Sequence, residues 1–326
     1  MKGKTVNGYT LQSLLGAGGM AEVWLAENRI GKKAAVKLLL PKLCDDENVV
    51  SRFLTEAKVM VELNHRNIRQ VYDFGDIDGR PCIIMEYLEG EDLKSKLKRG
   101  QRFSESDIES WWNQLVDALN YTHSKGIVHR DIKPGNIFID ENCVVKIGDF
   151  GSARISPQQK KEKEKENENE VEEKKEKKDK KEKKEKRPLT PGVGTKWYKA
   201  PEIIFGNKHY DKSVDIWSFG CLMAEMFLLE PLFPGSTDFE MINLIFSFIG
   251  FSKEDEAVLK PQLHINLRER PKNIFENTFD IADKDSIDLM SKMLVANPNK
   301  RITVEEILKH PFLKNEECYM NCNLPI

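Results

Sequence analysis

The chain has 326 residues, 40% of them hydrophobic, and its 51 basic and 53 acidic side chains leave a formal net charge of -2. That length exceeds one simple core and suits two lobes, while the near-neutral balance gives no global attraction to nucleic acid or to a membrane surface. No run of about 18 apolar residues occurs and the start, Met1-Lys2-Gly3-Lys4, lacks the apolar stretch of a secretory signal, so neither a membrane span nor export is expected. Cys44, Cys82, Cys143, Cys221, Cys318 and Cys322 are scattered through apolar or helical contexts and read as reduced thiols of an intracellular protein, cytoplasmic or nuclear. Cys318 and Cys322 have no partner His or Cys, which argues against a metal pair.

Tyr9 to Leu15 reads as a strand, Gly16-Ala17-Gly18-Gly19-Met20-Ala21 as a turn, and Val23-Trp24-Leu25 as a second strand. A strand after the Gly-x-Gly, rather than a helix, favours a hairpin folding over phosphates. Gly16 and Gly18 remove Cβ atoms where backbone must approach an anion closely. Ala34-Ala35-Val36-Lys37 follows as a third strand. Phe53, Ala57 and Met60 then share one apolar face at helical spacing. His65 reads as a loop or packing residue, and Cys82-Ile83-Ile84-Met85 as a short buried strand ending in Glu86-Tyr87-Leu88. Ser104, with Asp107 three residues on, has the look of a capping box, opening a helix whose Trp111, Leu115, Leu119 and Tyr121 belong to a core.

Two acids and an amide then fall on two short loops, His129-Arg130-Asp131-Ile132-Lys133-Pro134-Gly135-Asn136 and Asp149-Phe150-Gly151, with Val144-Val145-Lys146-Ile147 between them. Asp131 is placed to accept a proton. Asn136 and Asp149 are hard oxygen ligands of the kind Mg²⁺ takes together with phosphates. The order H-R-D-x-x-x-x-N followed by D-F-G resembles the catalytic and metal loops of eukaryotic-type Ser/Thr protein kinases, and the likeness covers roughly residues 9 to 313 apart from one insert. The resemblance implies a bilobal α+β fold: a small antiparallel β lobe with one key helix over residues 1–88, and a larger, mainly helical lobe over 89–326. It also implies ATP and Mg²⁺ as cofactors, and transfer of the γ-phosphoryl group to Ser/Thr hydroxyls of protein substrates.

By the same resemblance Asp131 orients the substrate hydroxyl and takes its proton, Lys133 stabilises charge on the phosphoryl group, and Asn136 and Asp149 hold Mg²⁺. Lys37 pairs with the α- and β-phosphates and with a helix glutamate, Glu56, Glu62 being the alternative. Leu15, Gly16, Gly18, Val23 and Ala35 join the nucleotide site, with Ala21 standing where the family has a third glycine. Met85 is the gatekeeper, the Glu86 carbonyl and Leu88 amide bond the adenine edge, and Asp92 reaches the ribose. His129 and Phe150 pack to fix the two loops, Asp215 braces the catalytic loop, and Glu202 pairs with Arg301.

Residues 156 to 188 interrupt this pattern. Lys160 to Arg187 is almost wholly Lys, Glu, Asp and Asn, with Val171 its one apolar residue, and such a run cannot bury enough surface to offset its ordering entropy. It reads as a solvated insertion in the activation segment. Beyond it, Thr190 falls where related kinases carry an activating phosphothreonine, which implies an upstream activating kinase and a phosphate held in part by Arg130. Thr195 resembles the threonine that hydrogen-bonds the catalytic Asp and Lys.

Up to about Arg154 the chain looks like bacterial-type Ser/Thr kinases. Trp197-Tyr198-Lys199-Ala200-Pro201-Glu202, Pro231-Leu232-Phe233-Pro234-Gly235 and His310-Pro311-Phe312 look like the cyclin-dependent and MAP kinase group. That group favours proline after the phosphoacceptor and typically has Arg where Lys199 stands. The small lobe lacks the cyclin-binding helix motif, so cyclin dependence is not expected. The rival readings are a catalytically weak pseudokinase scaffold and an interaction protein working through the charged insert.

Overall fold

The computed structural model describes residues 1–150, 153–155, 196–207, 211–261 and 265–313. The expectations for the charged insert, Thr190, Thr195, Cys318 and Cys322 lie outside the described residues, as does the side chain of Glu56. Strands β1 (Thr5–Val6), β2 (Tyr9–Ala17), β3 (Ala21–Asn28), β4 (Lys33–Leu39), β5 (Val71–Ile77) and β6 (Arg80–Glu86) form one antiparallel sheet in the order β1-β2-β3-β4-β6-β5. Helix α1 (Glu47–Val61) lies between β4 and β5 in sequence and starts where the Asp46 carboxylate accepts the Asn48 and Val49 amides.

Alternation along β4 decides what faces the helix. Ala34, Val36 and Leu38 join Val6, Leu11, Cys82 and Ile84 in a cluster on one face of the sheet. Ala35 and Leu39 belong to the main core with Phe53, Ala57 and Met60 of α1. Successive strand side chains point to opposite faces, so Lys37 shares the face of Ala35 and Leu39. The same rule splits β6, sending Ile83 and Met85 inward.

The second region is mainly helical. Helix α2 (Leu93–Lys98) is followed by α3 (Glu105–Ser124), whose capping box between Ser104 and Asp107 is formed as the sequence indicates. Trp111, Leu115 and Leu119 of α3 are buried, while Tyr121 is half-buried with its hydroxyl accepting the Asn64 amide at 3.2 Å. His65 packs on that ring, centroids 5.1 Å apart. After the short helix α4 (Pro201–Ile204) comes α5 (Ser213–Leu228), buried at every residue from Val214 to Phe227. This antiparallel sheet with its helix, joined to a mainly helical region, is the expected bilobal arrangement. Among the described residues no helix is long and apolar enough to cross a membrane.

Candidate active site

A two-residue strand, Ile127–Val128, delivers the chain to the His129–Asn136 loop, and an antiparallel hairpin of Ile137–Ile139 with Val145–Ile147 follows it. The register pairs Ile137 with Ile147, so Asn136 and Gly148 emerge side by side, and the Gly148 amide donates to the Asn136 carbonyl at 2.8 Å. Two loops distant in sequence are thereby stitched together.

Asp215 of α5 holds the first loop from beneath. Its carboxylate, wholly buried, accepts the His129 amide at 2.9 Å, the Arg130 amide at 2.7 Å and the His123 ring at 2.9 Å. Burial pushes this carboxyl up, but the bond from His123, the electrostatic pull of that ring and the Arg130 amide outweigh it and hold it below the usual range. His129 accepts the Asp131 amide on Nδ1 at 3.2 Å and reaches the Gly148 carbonyl with Nε2 at 3.1 Å, which fixes which ring nitrogen carries the proton. Its ring lies 4.4 Å from that of buried Phe150. Arg130 (φ 66°) and Asp149 (φ 46°) sit in the left-handed region, backbone strain that surrounding bonds sustain.

The chemistry-bearing side chains converge above this base. Lys133 Nζ lies 2.6 Å from Asp131 Oδ2. Asn136 Nδ2 donates to the Asp131 carbonyl at 2.7 Å and to its carboxylate at 3.2 Å, which leaves Oδ1 as the acceptor end of the amide. Across the cleft, Lys37 Nζ donates to Asp149 Oδ1 at 2.8 Å. A cavity of about 170 Å³ is lined by Val23, Lys37, Met85, Asn136 and Asp149, with Arg69 and Phe138 among the rest. An ammonium on one wall and an amide with a carboxylate on another make a donor set suited to phosphates and a hard cation.

Residues 9–313 match the protein kinase domain family. This chain belongs to the protein kinase family. It is 33% identical to the mitogen-activated protein kinase spk1 of Schizosaccharomyces pombe over 94% of this chain and 78% of that protein. It is 32% identical to spm1 of the same yeast over 92% of this chain and 68% of that protein, and 31% identical to mpk-1 of Caenorhabditis elegans over 94% and 65%. The kinase is thus related to MAP kinases along nearly its whole length.

Not every nucleotide residue named from the sequence lines this kinase's cavity. Gly16 and Gly18 lie in the β2–β3 hairpin, where a Cβ at Gly16 would meet nothing within 4 Å and one at Gly18 only the Ala21 carbonyl at 3.8 Å. Leu15 is exposed at the same hairpin. Ala35 is buried in register with Met85. Asp92 caps α2, its Oδ1 accepting the Ser95 amide at 2.7 Å. The Leu88 backbone lies in the stretch after β6, outside the cavity lining.

One lining residue was missed altogether. Arg69 is half-buried, donates from Nε to the Glu86 carbonyl at 2.8 Å, and holds its guanidinium 5.5 Å from the Phe138 ring. Burial brings its pKa down to about 10, with the Asp149 and Glu86 carboxylates opposing the drop, so it remains cationic at neutral pH. The signal in the sequence was a lone Arg between Ile68 and Val71, both of which bury.

Proposed function

We propose that this kinase transfers the γ-phosphoryl group of ATP to Ser/Thr hydroxyls of protein substrates, with Asp131, Lys133, Asn136, Asp149 and Lys37 as its working residues. The observation that carries the reading is the convergence of two ion pairs, Lys133–Asp131 at 2.6 Å and Lys37–Asp149 at 2.8 Å, on either side of one cleft. Phosphoryl transfer needs alignment and charge neutralisation more than covalent help. Asp131 orients the incoming hydroxyl and takes its proton, while Lys133 moves from that carboxylate toward charge developing on the phosphoryl group. Lys37, fixed by its place on β4, steadies the α- and β-phosphates. Asn136 and Asp149 would hold Mg²⁺, which when bound offsets the phosphate charge.

The MAP kinase relatives support a preference for proline after the target residue, and the likeness around Thr190 supports activation by an upstream kinase. Cys44, Cys82, Cys143 and Cys221 are free thiols, with burial raising the Cys82 pKa to about 11, which suits a reducing intracellular setting. The test is a peptide array with γ-labelled ATP and Mg²⁺, comparing the native chain with Asp131→Asn. Incorporation into Ser/Thr peptides, enriched for a following proline and reduced at least about 10²-fold in the variant, is expected. Nucleotide binding without turnover in the native chain would replace this reading by the scaffold one.

A further inference from the structure

Near the Asp131 carboxylate the chain gathers three lysines and a second acid. Lys133 Nζ pairs with Asp131 at 2.6 Å, and Lys196 Nζ with Asp238 at 2.8 Å. Lys199 is half-buried, and its ammonium makes neither a hydrogen bond nor an ion pair among the described residues. Burial lowers its pKa, the Asp131 and Asp238 carboxylates oppose the drop, and Lys196 and Lys133 add to it. Both of those carboxylates are already matched by another lysine, so one positive charge is left over. The segment that carries it is pinned. Trp197 Nε1 donates to the Gly235 carbonyl at 3.1 Å, the Tyr198 hydroxyl to Glu225 at 2.5 Å, and Ser218 Oγ to the Tyr198 carbonyl at 2.7 Å. The Lys199 amide closes a turn on the Lys196 carbonyl at 3.0 Å, and Ala200 after it is buried.

We propose that Lys199 selects the protein substrate, drawing in an acidic side chain, Glu or Asp, that lies close to the target hydroxyl. A partly desolvated charge without a partner costs free energy that an incoming opposite charge recovers. The inference rests on the transfer reading above, in which Asp131 marks where the hydroxyl docks. Charges more than about 10 Å apart are screened, and an extended peptide advances about 3.3 Å per residue, so the acid belongs within about three residues of the target. Lysine presents a point charge on a flexible stem, which recognises charge rather than a planar shape. A proline directly after the target is compatible with an acid elsewhere in that window.

The experiment is steady-state phosphorylation, with Mg²⁺ and γ-labelled ATP, of peptides that carry a single Ser and hold Ala, Glu or Lys in turn at each neighbouring position within about three residues. The native chain is compared with Lys199→Met, Lys199→Arg and Lys199→Glu. In the native chain Glu raises kcat/KM about tenfold over Ala at one position or more, mainly through KM, and Lys lowers it. Lys199→Met brings Glu and Ala within about twofold, Lys199→Arg keeps the preference, and Lys199→Glu reverses it toward Lys. Thermal unfolding checks that the variants fold. A native chain indifferent to Glu at every position overturns the proposal, as does a preference that folded Lys199→Met retains. Either result leaves the transfer reading standing, whereas a native chain that phosphorylates none of the peptides removes both.

Discussion

At the scale of single residues, the site is held by backbone that the chain would not choose on its own. Arg130 and Asp149 both adopt positive φ, at a cost of about 1 kcal/mol or more each, and the bonds around Asp215 and the Asn136–Gly148 contact over-determine them. Gly90, next to the segment after β6, is constrained in the opposite way. Its φ is +124°, and a Cβ there would fall 2.5 Å from the Ile139 carbonyl oxygen and 2.9 Å from the Asp140 Cα. Both neighbours are backbone and cannot step aside, so Gly90→Ala lowers stability by more than about 2 kcal/mol, measured by denaturant unfolding. A variant as stable as the native chain would show that the backbone there has room for a side chain.

The elements show how a pattern becomes a placement. In β4 a period of two puts Lys37 on the α1 side, while in α5 the helix is so fully buried that its two carboxylates take their partners inside. Asp215 finds three. Glu225, three turns along, accepts the Tyr198 hydroxyl at 2.5 Å. Burial raises the Glu225 carboxyl from 4.5 to about 7, against the Tyr198 bond and the Lys94 charge, which lower it. A carboxyl whose folded pKa is raised favours the fold most at pH below its unfolded value, and that advantage is lost as pH climbs through the folded value. The native chain therefore loses stability relative to Glu225→Gln as pH rises from about 5 to 8, by up to about 3 kcal/mol. Unfolding midpoints of the two proteins across that range check it, and parallel curves would show that the carboxyl is not held protonated.

Across the whole molecule, α4 is locked to the far end of the chain. Arg301 donates to both Glu202 oxygens, at 2.6 and 2.7 Å, and to the carbonyls of Val295, Ser213 and Ala296, with its guanidinium 5.2 Å from the Trp217 ring. Both side chains of the pair are almost entirely buried. Removing one partner strands a charge away from water, so Glu202→Ala costs about 3–5 kcal/mol, whereas an exposed pair such as Lys300–Glu254 contributes about 1 kcal/mol or less. Comparing chemical denaturation of Glu202→Ala with that of Glu254→Ala separates the two, and equal effects would refute the burial argument.

Much of this was readable from the chain alone, because it depends on residue type and short spacing. His129 to Asn136 and Asp149-Phe150 name a proton acceptor, an ammonium and two hard ligands within short stretches, and alternation in β4 already assigns Lys37 a face. The capping box at Ser104, the partnership of Glu202 with Arg301 and the brace at Asp215 were likewise legible, the last two through likeness to kinases. What folding alone decided are the meetings of side chains with backbone groups. Arg69 reaches the Glu86 carbonyl across 17 residues, and Asp92 turns to cap α2. A carbonyl has no identity in a sequence, since every residue carries one; which donor it receives is fixed only when the sheet, the stretch after β6 and the loop before β5 are packed together.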